Sequence, residues 1–235
     1  MRDLVQVAVC QVRAHALDPE ANATTTVATI ERAARDGARL VILPELAASG
    51  YGVERTALLA VAESVANPGP VLQAWRSAAR RLKVAIVGGL AEVDGDRLFN
   101  SAVTIDESGE IVSVYRKLHL FAGERDCFAP GDLGLPIVTV LGMRVGVIVC
   151  YDLRFPEAMR ILALRGAELI AVPTAWVAGF DRRPPSGRIG QVDGAIVQAN
   201  LNQVYVACAD TVGAIDPFTF LGQSVVVSPY GQALA

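Results

Sequence analysis

Histidine is scarce in this sequence of 235 residues, and its cysteines are scattered. The histidines and cysteines are His15, His119, Cys10, Cys127, Cys150 and Cys208. No two cysteines are spaced as Cys-x-x-Cys, so the sequence argues against a zinc site. Isolated thiols also indicate a reducing compartment, and we expect a cytoplasmic protein.

Long apolar runs and basic blocks are missing as well. No apolar run approaches the ~18 residues that a membrane span needs. The apolar N-terminal run is short, contains Gln6 and lacks a small-residue cleavage site, which predicts a strand rather than a signal peptide. The 21 basic and 24 acidic residues are spread along the chain, without the basic-aromatic interleaving of nucleic-acid-binding proteins. We therefore expect neither a membrane nor a nucleic-acid partner.

The apolar residues that are present indicate a single domain over residues 1–235, because 52% of the chain is hydrophobic and 19% is charged. Strands are predicted at 4–10, 40–43, 84–90, 99–105, 111–116, 144–149, 168–172, 203–209 and 223–227. Helices are predicted at 20–36, 69–82, 155–165 and 188–200. Runs such as VAIVGGL are apolar on both faces, which is typical of central strands covered by helices. The predicted class is α/β.

Two segments of the chain are similar to each other in sequence. RDGARLVILPELA at 35–47 resembles LRGAELIAVPTAW at 164–176. Each contains a helix end, a glycine suited to a left-handed C-cap, a short apolar strand and a strand-ending proline. This internal similarity predicts two similar halves packed about a pseudo-twofold axis.

The segment VGVIVCYDLRFPE places Cys150 between a strand and a helix. The β-branched run ends at Val149, and Pro156 suits the first turn of a helix. Unpaired N–H groups and the helix dipole at such a turn favour a thiolate and can hold an oxyanion. A free cysteine is also commonly a small buried apolar residue, and this segment alone leaves both interpretations open.

A cysteine nucleophile needs a base, for which the sequence offers several candidates. His119 is the only histidine near a strand end, but no cysteine-protease motif surrounds it. Glu45 follows the strand-ending Pro44 among apolar residues, where burial would raise its pKa toward the range of a general base. A helix-start carboxylate is an equally good interpretation of Glu45.

Lys117 and Glu124 are two further charged candidates. Lys117 lies between apolar stretches, either as a catalytic cation or as a surface lysine with a buried stem. Glu124 is either its ion-pair partner or a loop charge. Because Glu45, Lys117 and Cys150 each follow the end of a predicted strand, where α/β sheets gather ligand sites, we expect them to meet. A carboxylate, a cation and a thiol together suit acyl transfer.

The chain resembles the nitrilase superfamily, the carbon–nitrogen hydrolases. The resemblance runs in order through VQVAVCQ, LVILPELAASGY, YRKLHLF, GERDCFAPG, VGVIVCYDLRFPE, ELIAVPTAW, NQVYVACADTVG and GQSVVVSPYG. It implies an α-β-β-α sandwich of two mixed sheets with outer helices. It also implies a catalytic triad of Glu45, Lys117 and Cys150, a supporting Glu124, an oxyanion site at the Tyr151 N–H, and no metal or cofactor.

The resemblance implies hydrolysis of a small carboxamide through a thioester. CYDLRFPE resembles the amidase branches more than the nitrile-cleaving ones; an N-carbamoyl amine or amino-acid hydrolase, a nitrilase and a catalytically silent scaffold are the alternatives. Tyr51 and Trp176 are candidates for the pocket wall. Arg182 is a candidate for binding a substrate carboxylate, together with Arg183 and Arg188 of the same loop.

The sequence departs from the family pattern in two places. Leu201-Asn202 stands before QVYV, where relatives often have Glu-Asn. The sequence also ends at GQALA, where relatives continue, so we expect a short or missing C-terminal tail. Because that tail often helps subunits associate, the homodimer or larger homo-oligomer that the family implies is less firmly expected here.

Overall fold

The structure is a computed structural model that describes residues 4–52, 54–179 and 187–235. Its strands are β1 (Val7–Val9), β2 (Leu40–Ile42), β3 (Ala85–Asp94), β4 (Arg97–Ile105), β5 (Ile111–Arg116), β6 (Ile137–Val140), β7 (Met143–Val147), β8 (Leu169–Thr174), β9 (Tyr205–Asp210), β10 (Val212–Ile215), β11 (Phe218–Leu221) and β12 (Val225–Val227). Its helices are α1 (Pro19–Arg35), α2 (Arg55–Val61), α3 (Pro70–Leu82), α4 (Glu124–Cys127), α5 (Pro156–Leu164) and α6 (Gly190–Asn202), and a 3-10 helix spans Cys150–Arg154.

Two mixed five-stranded sheets form the centre of the fold. Their strand orders are β1-β2-β3-β4-β5 and β12-β9-β8-β7-β6, and β10 pairs with β11 in a separate hairpin. In the first sheet β1, β2 and β3 are parallel, and in the second β7, β8 and β9 are parallel. The predicted sandwich of two mixed sheets with helices is confirmed.

The alternation of side chains along β2 shows how the layers are built. Leu40 and Ile42 are fully buried in one core with Val147 of the second sheet. Val41 points to the opposite face and packs in another core with Trp75 of α3. Because successive strand residues point to opposite faces, an apolar run such as LVIL is needed where both faces are covered.

The two similar segments, 35–47 and 164–176, occupy equivalent positions in the two sheets. β2 lies between two parallel neighbours in the first sheet, and β8 does so in the second. Gly37 and Gly166, which end the preceding helices, have φ values of 96° and 87°, in the left-handed region expected of C-cap glycines. The ends of the two strands also meet, since the Glu45 N–H donates to the Thr174 carbonyl at 3.4 Å.

The predicted elements are all present, with shifts at their ends. The described residues also form six elements that escaped sequence reasoning: β6, β10, β11, α2, α4 and the 3-10 helix Cys150–Arg154. Each has no more than seven residues, and β10 and β11 are only partly buried, so they lack a long apolar or periodic pattern. None of the helices in the part of the chain described is long and apolar enough to cross a bilayer.

Candidate active site

Glu45 and Lys117 form a buried ion pair beside the carboxyl ends of strands in the first sheet. Lys117 directly follows β5, and Glu45 follows β2 after the strand-ending Pro44. Each residue is only 1% exposed. Lys117 Nζ lies 2.6 Å from Glu45 Oε1. An apolar site holds such charges only when they are paired, so the two residues depend on each other for burial.

Glu124 is the second carboxylate on the same ammonium. It begins α4, and its oxygens lie 2.9 Å and 2.8 Å from Lys117 Nζ. The Tyr51 hydroxyl donates to Oε1 at 2.8 Å, and the Phe121 N–H donates to Oε2 at 2.9 Å. Burial raises the pKa of Glu124, and Lys117 opposes that rise. Glu124 is therefore an ion-pair partner of Lys117 and not a loop charge.

Glu45 differs from Glu124 in keeping one oxygen unoccupied. Its Oε1 accepts from Lys117 and from Asn100 Nδ2, the latter at 2.7 Å. Its Oε2 is buried and has no hydrogen-bond partner among the residues described. A buried acceptor without a partner is rare and calls for a donor, and here it leaves one carboxylate oxygen available to take a proton.

The charge on Lys117 is fixed by its neighbours. Burial alone would lower the pKa of this lysine, but the adjacent carboxylates of Glu45 and Glu124 outweigh burial and raise it above the ordinary value. The side chain therefore stays a cation and not a base at neutral pH. A fixed cation of this kind can stabilise negative charge that develops on a substrate oxygen.

Cys150 lies at the tip of the turn between β7 and α5. Its φ is 47°, a left-handed conformation that non-glycine residues adopt at a cost of about 1–3 kcal/mol and that is frequent at functional sites. Burial and then Glu45 raise the pKa of the thiol, while Lys117 and the Ala175 N–H oppose the rise. The balance leaves Cys150 protonated at neutral pH, so attack by its sulfur requires a base.

A cavity of about 100 Å³ opens over Cys150. The described residues that line it are Tyr51, Phe121, Cys150, Tyr151, Leu153, Arg154, Ala175, Trp176, Val177, Gly190, Gln191 and Gly194. Tyr51 and Trp176 are thus both in the wall, and Tyr151 directly follows the cysteine. The lining is mostly apolar and aromatic, which suits a small organic ligand.

The arginine candidates have other positions. Arg182 and Arg183 lie outside the described residues. Arg188 lies just before α6, where its Nε is 2.5 Å from Asp193 Oδ1, and it is not part of the described cavity lining. Arg154, which sequence reasoning left unassigned, does line the cavity.

Asp152 braces the nucleophile turn. It is fully buried and accepts from the Val149 N–H at 3.0 Å and from the Tyr115 hydroxyl at 2.7 Å. Its other oxygen accepts from the His119 N–H at 2.9 Å and lies 2.8 Å from His119 Nδ1. His119 also stacks on Phe155 and is not in the described cavity lining, so its position does not fit a base for Cys150.

Three supporting residues escaped sequence reasoning. Asn100 is a polar residue inside the apolar strand β4, and that contrast is the signal that marks it. Gly89 is one of two adjacent glycines in β3; an added Cβ there would lie 2.7 Å from Glu45 Cα and 2.5 Å from the Leu46 nitrogen. The sequence leaves the role of Asp152 unassigned, with an ion pair to Arg154 as the default interpretation, and nothing in it identifies the bond from Tyr115.

Within residues 4–52, 54–179 and 187–235, no three His, Cys, Asp or Glu side chains are grouped so as to hold a metal ion. The absence of a cofactor therefore stays a prediction. What the described residues do bring together is a buried carboxylate with a free oxygen, a fixed cation and a strained cysteine at a cavity. That set of groups can perform nucleophilic acyl transfer.

Comparisons with known proteins agree with this chemistry. A nitrilase from Pyrococcus abyssi is 37% identical over 99% of this chain and 84% of its own length. An (R)-stereoselective amidase from a Pseudomonas species is 37% identical over 92% of this chain and 75% of its own length. The crystal structure of an amidase from a Nesterenkonia species superposes with a TM-score of 0.86 and 31% identity, over 98% of this chain and 84% of that one.

Further structures of the Nesterenkonia amidase describe its active site. In one, a glutamate-to-glutamine variant carries the acetamide moiety of fluoroacetamide covalently on the active-site cysteine. In another, a cysteine-to-alanine variant binds butyramide. The family model for carbon-nitrogen hydrolases matches residues 6–235 of the present sequence. The chain belongs to the carbon–nitrogen hydrolase family, within the nitrilase superfamily.

Proposed function

We propose that the protein is an amidase that hydrolyses a small carboxamide to a carboxylic acid and ammonia, with Glu45, Lys117 and Cys150 as its catalytic residues. The contact that most supports this function is the Lys117–Glu45 pair, which leaves Glu45 Oε2 without a partner among the described residues. Relatives named amidase, and the amide ligands in the Nesterenkonia structures, favour an amide as the substrate.

The first half-reaction forms a thioester. Glu45 Oε2 takes the thiol proton while Cys150 sulfur bonds to the amide carbon. The carbonyl oxygen becomes an oxyanion, which the Lys117 ammonium and the Tyr151 N–H stabilise. The carbon–nitrogen bond then breaks, and Glu45 returns its proton to the departing nitrogen, which leaves as ammonia.

The second half-reaction releases the acid. A water molecule gives a proton to Glu45 and attacks the thioester carbon, and the same donors hold the new oxyanion. The carbon–sulfur bond breaks, Glu45 reprotonates the sulfur, and the carboxylic acid leaves. Glu124 keeps Lys117 in place throughout, because both of its oxygens are already bonded.

A direct test is the intact mass of the protein after brief incubation with small amides. Wild type should gain an acyl mass that maps to Cys150 and should release ammonia, whereas Cys150→Ser should do neither. If a broad panel of amides yields neither adduct nor ammonia with wild type, the amidase proposal is wrong. The same panel should include nitriles and N-carbamoyl compounds, because one relative is named a nitrilase.

We also propose that residues 1–235 act as one catalytic domain. The site takes Glu45 and Lys117 from the first sheet and Cys150 from the second, so neither half can carry it alone. Wild type should therefore unfold in a single urea transition that coincides with loss of activity. Two separated transitions would contradict this.

We further propose a cytoplasmic homodimer or larger homo-oligomer. The four cysteines are all free thiols, which fits a reducing compartment. Four apolar residues of α5 and α6 are 40–78% exposed and supply a surface that self-association would bury: Ile161, Leu164, Val197 and Leu201. Size-exclusion chromatography with light scattering should give at least twice the monomer mass. Leu164→Glu should reduce it.

A further inference from the structure

The first turns of α6 form one wall of the cavity over Cys150. Gly190, Gln191 and Gly194 all line that cavity, and α6 packs against the 3-10 helix that begins at Cys150. Residues four apart lie on the same face of a helix, so the two glycines share one side. This wall is distinct from the aromatic wall and contains no residue of the proposed triad.

Neither backbone nor packing explains a glycine at position 194. Gly194 is not among the glycines with positive φ, and a Cβ added to it would meet nothing within 4 Å. Gly146 of β7 is different, since an added Cβ would lie 2.9 Å from Leu162. Glycine inside a helix is less favourable than alanine, so Gly194 weakens α6 without a structural gain. What it provides is open space in the cavity.

Gln191 adds a polar group to the same wall. Its Oε1 atom is buried and has no hydrogen-bond partner within the part of the chain described. Buried acceptors are nearly always paired. Because the Gln191 side chain lines the cavity, its rotation would let this oxygen accept from a donor on a bound ligand. The rest of the described lining is largely apolar, with Phe121, Leu153 and Val177 among its residues, and Arg154 is a charged member of it.

Given the proposed amidase function, we infer that the start of α6 is the subsite for the acyl group of the substrate. Gly194 sets the size of that group, and Gln191 Oε1 accepts a hydrogen bond from an O–H or N–H on it. The preferred substrate is then an amide with a short apolar chain that carries one hydrogen-bond donor.

The size component is tested with Gly194→Ala and Gly194→Val. For propanamide, kcat/KM should stay within about threefold of wild type, whereas for pentanamide it should fall on the order of tenfold or more in Gly194→Val, with Gly194→Ala between. Asn200→Ala, at another exposed position of the same helix, should leave the ratio of the two kcat/KM values unchanged. Equal effects on both amides, or no effect, would overturn the size role of Gly194.

A second measurement does not depend on turnover. The rates at which Cys150 is alkylated by 2-chloroacetamide and by 2-chloropentanamide can be followed by intact mass. Gly194→Val should slow the larger reagent selectively. If wild type hydrolyses no amide but this selectivity holds, the amidase proposal fails and the subsite stands. If amides are hydrolysed but Gly194→Val changes neither the kcat/KM values nor the alkylation rates according to ligand size, the subsite proposal is wrong and the amidase proposal stands.

The polar component is tested with Gln191→Met, which keeps length and removes the acceptor. The kcat/KM for 4-hydroxybutanamide should fall about 3–10-fold, while that for pentanamide stays near wild type, because only the first amide carries a donor on its acyl chain. An equal change for the two amides would rule out recognition by Gln191 Oε1.

Discussion

Glu45 and Glu124 bond the same ammonium, yet only Glu45 keeps an oxygen without a partner among the described residues. The difference separates two otherwise similar buried carboxylates. Glu124 receives donors on both oxygens and holds Lys117 in place. Glu45 can accept a proton without breaking any of its hydrogen bonds.

Replacement of Glu45 by glutamine should therefore remove the base but leave the fold intact. We expect Glu45→Gln to lower kcat for amides by about 10²–10⁴-fold, the usual contribution of a general base. Lys117 keeps the charge of Glu124 beside it and can still bond the amide oxygen, so the melting temperature should fall less than in a variant without Lys117. Steady-state kinetics and a thermal melt check both points.

Alkylation of Cys150 provides the control for this variant. Glu45→Gln should still be alkylated by iodoacetamide, and the rate should rise as the pH approaches the raised pKa of the thiol. Amide turnover near the wild-type level would rule out Glu45 as the base. A complete loss of alkylation would instead indicate a collapsed site.

Lys117→Ala should lower kcat far more than the substitution of a surface lysine would. Removal of one oxyanion donor costs on the order of 100-fold or more in kcat, and the ammonium here also pairs with Glu45 and Glu124. The variant leaves two carboxylates buried without a cation, so we also expect about 3–5 kcal/mol less stability. Urea unfolding and kcat measure the two effects.

Lys83 offers a matched control. It is exposed at the end of α3 with a φ of 56°, a conformation that asparagine tolerates. Lys83→Asn should retain wild-type turnover and stability. If Lys117→Ala also kept near-full turnover, the role assigned to Lys117 would be wrong.

Gly89 allows the chain that carries Glu45 to lie against β3. An added Cβ would lie 2.7 Å from Glu45 Cα, so in Gly89→Ala the backbone that carries Glu45 must shift. Gly88→Ala is a matched control, because its Cβ would lie 2.5 Å from the Trp75 ring on the opposite face. Both should destabilise by about 1–3 kcal/mol through overpacking.

Gly89→Ala should lose more activity than its reduced stability explains, whereas Gly88→Ala should not. We expect kcat at a temperature where both proteins are folded to fall more than about tenfold for Gly89→Ala, since small displacements of catalytic groups are costly. Gly88→Ala should stay within about twofold. Similar kcat values for the two would show that the close approach at Gly89 does not position Glu45.

The sequence could identify the members of this site because each follows a strand. An apolar run that ends in Pro44-Glu45, and another that ends in Arg116-Lys117, can be located without a structure. The parallel arrangement of strands then predicts that their ends meet. The supporting contacts could not be found in this way.

Asn100, Gly89 and Asp152 act through residues far from them in sequence. The Asn100–Glu45 hydrogen bond spans 55 residues, and the Tyr115–Asp152 bond spans 37. Such pairs depend on the strand order and register of two sheets, which a local pattern does not encode. The cavity wall at Gly194 was missed for the same reason, since a glycine in a helix has no local signature of a binding site.

Asp152 should position Cys150 through the turn that both share. Asp152→Asn replaces one acceptor oxygen with a donor, which then faces the N–H groups or the hydroxyl that the carboxylate now binds. We expect about 1–3 kcal/mol less stability and a lower kcat with little change in KM.

Tyr115→Phe, which removes one donor and keeps the carboxylate, should have a smaller effect on kcat. An unchanged kcat in Asp152→Asn would show that the brace does not act on Cys150.

Buried thiols should make the protein sensitive to alkali. Burial raises the pKa of Cys10 from 9.0 to about 11, against a smaller opposing effect of Arg32, and burial also raises the pKa of Cys208. Because the folded protein holds the Cys10 proton more tightly than the unfolded chain does, the contribution of this thiol to stability is fully present below pH 9 and is lost as the pH rises through 11. For Cys10 this contribution to stability amounts to as much as about 3 kcal/mol.

Urea unfolding at pH 7, 9 and 11 should therefore show a steeper loss of stability in wild type than in Cys10→Ala, which has no thiol to titrate at that position. Parallel curves for the two proteins would mean that the Cys10 thiol is not protected from ionisation by the fold.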